Sequence, residues 1–175
     1  GFDIYEALNQ CSDLIENFGG HTYAAGLTME INNIDKFRQR FEHIVEQNIS
    51  DDQLIPHLEI DSEIGFNDIT EKFYGILRQF QPFGPQNLAP VFVARNVRDT
   101  GDARLVGANK EHIKLSLVQQ DNPGKIFPAI AFQQANHYPS IHRGNPFDIC
   151  FSVEENNFRG NRTLQLNIKD IKVKE

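Results

Sequence analysis

Gly19-Gly20-His21 is the stretch of this chain whose residue types best suit chemistry on an anion. Glycine reaches positive φ at little cost and, lacking a Cβ, lets another group come close to the main chain. A turn built on such residues can aim successive N–H groups into one concavity that holds a phosphate. A histidine directly after it adds a side-chain donor or a positive charge. The residues that follow, Ala24-Ala25-Gly26, have almost no side-chain volume, so they can pack tightly against a helix or leave room for a substrate. The same spacing also fits a plain helix stop followed by a surface histidine, and spacing alone leaves both readings open.

The flanking pattern has to position that stretch. Ile4, Leu8, Cys11 and Ile15 recur on one face with Leu14 and Phe18 beside it, which predicts a helix from about Asp3 to Asn17, ended by Gly19. Ala25, Leu27, Met29 and Ile31 alternate as in a strand, and Asn32-Asn33 makes a turn. Asp35 can cap a second helix to about Asn48, with Phe37, Phe41, Ile44 and Val45 as its apolar stripe. The polar run Ser50-Asp51-Asp52-Gln53 reads as a linker.

After Pro56 the pattern changes. Leu58, Ile60 and Ser62 fit a short strand, and Asn67 or Asp68 can cap a helix carrying Ile69, Phe73, Ile76, Leu77 and Phe80. Pro82-Phe83-Gly84-Pro85 stops that helix. From Pro90 onward strands are expected at 91–97, 112–118, 126–132, 147–153 and 163–171, with a short helix over 133–142 interrupted at Pro139. Five strands joined by turns suit a small Greek-key barrel of the OB type. The expected fold class is therefore α+β, with a small α/β portion at residues 1–57 and a five-stranded OB-fold β-barrel at 58–175.

Charge separates the same two regions. The chain has 175 residues and a formal net charge of -7. Residues 1–57 carry three basic and ten acidic side chains, residues 58–100 four and six, and residues 101–175 ten and eight. A polyanion is therefore expected along the last segment. Basic side chains that could neutralise phosphates there are Arg98, Arg104, Lys110, His112, Lys114, Arg159 and Arg162. Phe158, with Phe66 and Phe92 as alternatives, could provide a face on which bases stack. Most of the 14 phenylalanines must nevertheless be core. No run of about 18 apolar residues is present, so neither a membrane span nor a membrane partner is expected. Cys11 and Cys150 lie far apart without metal-ligand spacing and read as reduced core residues of a cytoplasmic protein.

The opening Gly1-Phe2-Asp3-Ile4-Tyr5-Glu6-Ala7-Leu8, continuing to Phe18-Gly19-Gly20-His21 and Ala24-Ala25-Gly26-Leu27, resembles the DHH-associated domain of the RecJ family. These are single-strand-specific exonucleases of the DHH phosphoesterase superfamily. Three later phrases resemble the OB domain of that family, in the same order. They are Phe80-Gln81-Pro82-Phe83-Gly84-Pro85-Gln86-Asn87 with Pro90-Val91-Phe92, then His112-Ile113-Lys114-Leu115, then Asn157-Phe158-Arg159-Gly160 leading to Leu164-Gln165-Leu166 and Lys169-Asp170-Ile171. The resemblance covers nearly the whole chain. It implies that Gly19, Gly20 and His21 face a catalytic domain and contact substrate phosphate, and that residues 58–175 bind single-stranded DNA. Where the family often has tryptophan this chain has Phe158, a smaller platform.

The resemblance also says what lies elsewhere. Hydrolysis in the superfamily needs aspartates and histidines around two divalent ions, Mn²⁺ or Mg²⁺. This chain has no Asp-His-His run and no other ligand spacing, and no catalytic or metal residue is assigned in it. The catalytic DHH domain is expected upstream of Gly1, so the parent should be a 5′ to 3′ exonuclease of repair and recombination, with repair proteins as possible partners. The fragment alone should be inactive and hold no cofactor. Two other readings stand beside this one: a DHH phosphoesterase acting on short oligonucleotides or cyclic dinucleotides, and a non-catalytic OB module that binds protein. Residues 58–175 count against the first, because such small-substrate relatives generally lack a barrel.

Overall fold

Asp3 starts the first helix: its carboxylate accepts the Glu6 N–H at 3.0 Å, and α1 (Ile4–Asn9) follows. The computed structural model describes residues 1–120, 122–158 and 160–173, and all their side chains except those of Asn122 and Phe158. The chain divides into two compact units, Gly1–Leu58 and Glu59–Glu175.

In the first unit α1 ends well short of Asn17. Ser12, Asp13 and Asn17 are of types that favour caps and turns over helix interiors, and the chain tightens into a 3-10 turn at Ser12–Leu14 before becoming extended. The Gly-Gly pair therefore neither stops a helix nor forms a turn. It lies inside β1 (Asn17–His21), which pairs antiparallel with β2 (Ala24–Thr28), with Gly19 opposite Gly26 and Gly20 opposite Ala25. Successive amides of a strand point to opposite edges, so the two glycine N–H groups do not converge on one anion. What requires glycine here is the hairpin. Gly20 has φ +153°, and a Cβ on it would sit 2.3 Å from the Ala24 carbonyl oxygen and 2.5 Å from the Ala25 Cα. A Cβ on Gly19 would meet nothing within 4 Å.

A 3-10 turn at Ile31–Asn33 replaces the end of the expected strand and leads into α2 (Ile34–Asn48), so Asp35 falls in the first helical turn rather than at the cap. Ile44 of α2 packs with Ala7 and Cys11, and Phe2, Ile15, Phe37 and Phe41 close over them. The expected linker holds a short helix, α3 (Asp51–Leu54), because Gln53 Oε1 accepts the Ser50 N–H at 3.0 Å.

In the second unit β3 (Ser62–Glu63) runs parallel to the first residues of β4 (Phe92–Asp99). Thr70 caps α4 (Glu71–Leu77) by accepting the Phe73 N–H at 3.1 Å. Asp68, expected in that role, accepts the Gly65 N–H instead. The loop after α4 is held by Asn87, whose Nδ2 donates to the Phe80 and Pro82 carbonyls, each at 2.9 Å.

The remaining elements are β5 (Arg104–Val106), β6 (His112–Gln119), β7 (Asn122–Ala131), α5 (Tyr138–His142), β8 (Phe147–Phe158) and β9 (Asn161–Val173). Pro139 begins α5 rather than interrupting it, since a first-turn N–H has no helical partner to lose. β4 pairs with β8, β8 with β9, β9 with β7, β7 with β6, and β6 back with β4. The five strands expected of the OB fold thus pair in a ring, with β3 and β5 added at its margins.

The ring's interior is set by period-two alternation. Ile113, Leu115 and Leu117 of β6 face Phe127, Ala129 and Ala131 of β7 and Leu166 and Ile168 of β9. Phe66 (0% exposed) and Phe92 (6%) belong to this core. Phe66 packs edge-on against Phe127, and Phe92 meets Phe73 and Phe151 at a tilt. Neither can serve as a stacking platform, because filling a barrel this rich in phenylalanine takes both of them.

Two stability predictions follow from these contacts. Gly20→Ala should destabilise the hairpin by about 1–3 kcal/mol, while Gly19→Ala should change it by less than about 1 kcal/mol; hydrogen exchange of the β1 and β2 amides reads both. Asp148→Ala should cost about 3 kcal/mol in urea unfolding of the second unit, because the buried carboxylate accepts the Asn96 N–H at 2.9 Å and bonds the Arg95 guanidinium at 3.3 Å.

Candidate nucleic-acid interface

In the first unit the side chain with chemistry to offer is His21, at the end of β1. It is exposed, and its Nδ1 accepts the Tyr23 N–H at 3.3 Å. That bond occupies Nδ1 and leaves Nε2 on an open surface, where it can donate a hydrogen bond. The Tyr23 ring stands edge-on to it at 6.4 Å.

In the second unit the barrel's outer face collects several of the predicted basic residues. Arg104 of β5 lies opposite Lys114 of β6, and Lys114 opposite Ile130 of β7. Ile130 in turn lies opposite Asn167 of β9, and Asn167 opposite Ser152 of β8. Because Ile113 and Leu115 point inward, Lys114 and His112 point outward. Below this row a groove of about 330 Å³ is lined by Lys114, Pro128, Asn156, Asn161, Thr163 and Gln165. Among the described residues neither Arg104 nor Lys114 is paired with a carboxylate. Arg98 is exposed on β4 opposite Val118, and Lys110 is exposed in the β5–β6 connection with φ +57°.

One predicted residue is not on this face. Arg162 alternates with Thr163 and so turns to the other side of the β8–β9 ribbon, where its Nε is 2.7 Å from Glu155. Arg78 approaches the same carboxylate at 3.9 Å. Arg159 and the Phe158 side chain lie outside the described residues.

His112 marks one corner of the face. Its Nδ1 accepts the Gln133 N–H at 3.0 Å, and its Nε2 is 3.5 Å from Glu111 Oε1. N–H bonds from the backbone of Glu111 itself and of Asn109 hold the Glu111 carboxyl below the usual carboxylate range against partial desolvation, and His112 adds a smaller pull. An anion thus tempers the positive charge at that corner.

An aromatic side chain that the sequence did not single out is also present. Phe132, immediately after β7, is 51% exposed, and its ring meets His112 edge-on at 5.0 Å. Lys169 is exposed on β9, one residue beyond Ile168, which is paired with Ala131. The segment 126–132 is apolar at nearly every position, which hid its orientation. Pairing it first with the clear alternation of 112–118 would have turned its odd-numbered residues inward and left Phe132 outside.

Among the described residues no group of three or more His, Cys, Asp or Glu side chains stands close enough to hold a metal ion. Cys11 and Cys150 are free thiols whose ionisation burial pushes up.

Comparison with known proteins bears on the whole chain. The family model of the RecJ OB domain matches residues 60–170. The single-stranded-DNA-specific exonuclease RecJ of Bacillus subtilis is 30% identical over 175 residues, which is all of this chain and 22% of that protein. The protein of the same name from Salmonella typhimurium is 30% identical over 159 residues, 91% of this chain and 27% of its own length. A crystal structure of RecJ in complex with Mg²⁺ from Thermus thermophilus covers 99% of this chain and 26% of that one, with a TM-score of 0.67 and 19% identity. That likeness bears on the fold. The chain spans about a quarter of the length of the relatives it matches. Matched by its OB-domain model over most of its length, the chain belongs to the RecJ family.

Proposed function

We propose that this chain is the substrate-binding part of a RecJ-type 5′ to 3′ exonuclease that acts on single-stranded DNA in repair and recombination. The observation that carries the reading is the outer face of the barrel, where Arg104, His112 and Lys114 share one side of the sheet beside a groove with amide side chains. The names of the relatives, all single-stranded-DNA-specific exonucleases, support the same substrate.

Each lysine or arginine that neutralises a phosphate releases a condensed counterion, so such a face binds strands of any sequence. Asn156 and Gln165 add hydrogen bonds that are equally indifferent to base identity. Arg98 and Lys110 extend the positive surface, whereas Arg162, whose charge Glu155 meets, contributes little. The Nε2–H of His21 is suited to donate to a phosphate oxygen of the same substrate. Hydrolysis itself would be supplied by Mn²⁺ or Mg²⁺ in a DHH catalytic domain outside this chain, in a cytoplasmic protein that works with other repair proteins.

Two outcomes test this. In fluorescence anisotropy the chain should bind an oligothymidylate with a dissociation constant on the order of 1–100 µM, weakening as salt rises. Arg104→Ala and Lys114→Ala should each lower affinity for all sequences alike and reduce the salt slope by about 0.7, while Arg162→Ala leaves the slope unchanged. A salt-independent affinity would overturn the phosphate-contact reading. In the full-length protein His21→Ala should lower kcat by about 10-fold or more with little change in melting temperature, because the ring is exposed. An unaltered kcat would leave His21 a surface residue of the hairpin.

A further inference from the structure

Phe132 is a large aromatic left half in water at the corner of the candidate interface. Its ring is held in place: His112 packs edge-on against it, and the Gln133 N–H bond fixes the His112 ring in turn. Lys169 follows Ile168 on the neighbouring strand, and Lys114 follows His112 by one outward position along β6. By register the ring therefore neighbours Lys169 on one adjoining strand and lies one outward position from Lys114 on the other, with the Glu111 carboxylate beyond His112.

We propose that Phe132 is the platform on which a base of the bound single strand stacks, with Lys169 taking an adjoining phosphate. This rests on the reading of the outer face as a single-strand site and adds to it the contact that distinguishes a strand with accessible bases from any other polyanion. An aromatic face attracts all four bases, since each has a π surface, and it can do so only where bases are not already stacked in a duplex. Cations beside the ring neutralise the backbone on either side of the stacked nucleotide. The restraint by His112 matters because a ring held in place loses little freedom when a base settles on it.

The chain contains no tryptophan, which provides a clean test. Phe132→Trp should bind oligothymidylate at least as well as the wild type. Its emission should be quenched on saturation by that strand and remain unquenched by an abasic strand of equal length. Phe132→Ala should weaken oligothymidylate binding by about 5- to 150-fold and leave the salt slope unchanged, with abasic-strand binding unaltered. Circular dichroism of both variants should match the wild type, because the ring is half exposed. Lys169→Ala should lower affinity for both strands and reduce the slope by about 0.7.

Equal losses on both strands with Phe132→Ala, or unchanged tryptophan emission in a demonstrably saturated complex, would overturn the platform while leaving the electrostatic site intact. Absence of any binding by the wild type at low salt would overturn the single-strand reading itself, and the platform with it.

Discussion

The second unit depends on one strand serving two neighbours in succession. The first half of β4 lies between β3 and β8, through Phe92 to Ala94, and its second half joins β6 through Val97 to Asp99. A straight strand cannot make that change of direction, and the register with β8 slips between Ala94 and Val97. The residues in the slip, Arg95 and Asn96, are held by Asp148 of β8. Its two oxygens take the Asn96 N–H and the Arg95 guanidinium, while Glu63 holds the same guanidinium from the other side at 2.9 Å. Asn96 sits at φ +55°, a conformation that asparagine tolerates better than most residues. The bulge bends β4 so that its pairing passes from β8 to β6.

A ring of strands turns every second side chain outward, and this converts a packing solution into a surface. Inward positions are taken by aliphatic residues, phenylalanine and alanine. Outward positions are free of that demand, so the composition of β5, β6 and β9 there can follow a ligand. Asp99 strengthens the arrangement at the start of β5. Its carboxylate accepts the Gly101, Ala103 and Ser116 N–H groups at 2.7–3.0 Å, pinning the connection just before Arg104 to the strand that carries Lys114. The result sets Arg104 and Lys114 side by side on one outward face of a chain whose net charge is -7. Field at short range, within a Debye length, matters more to a bound strand than the total.

The strand at 112–118 and the apolar stripe of α2 were legible because each has one clean period. His112 to Val118 alternates strictly, and Phe37, Phe41 and Ile44 fall on one helical face. The first helix is shorter than its spacing suggests, because Leu14, Ile15 and Phe18 continue a helical spacing that the cap- and turn-favouring residues between them do not support. Phe132 is hidden in the sequence for the converse reason: a strand apolar on both faces has no readable parity until it is paired. Arg162 could be found in sequence as a basic residue, but its partner Glu155 lies across a hairpin, at a register no single strand reveals.

The two glycines carry a lesson about motifs. Gly-Gly-His invites a reading in which all three residues touch one phosphate, yet the hairpin alone accounts for Gly20, whose missing Cβ lets the Ala24 carbonyl and the Ala25 backbone come close. Gly19 lies opposite Gly26 with open space where its Cβ would be, which lets another surface approach that face of the hairpin more closely than any other residue pair would allow. The donor on that face is then His21, whose Nε2 is left open by the bond that its Nδ1 makes to Tyr23. Backbone shape and side-chain chemistry are thus divided among three consecutive residues: one closes the hairpin, one clears the approach, and one presents the hydrogen bond.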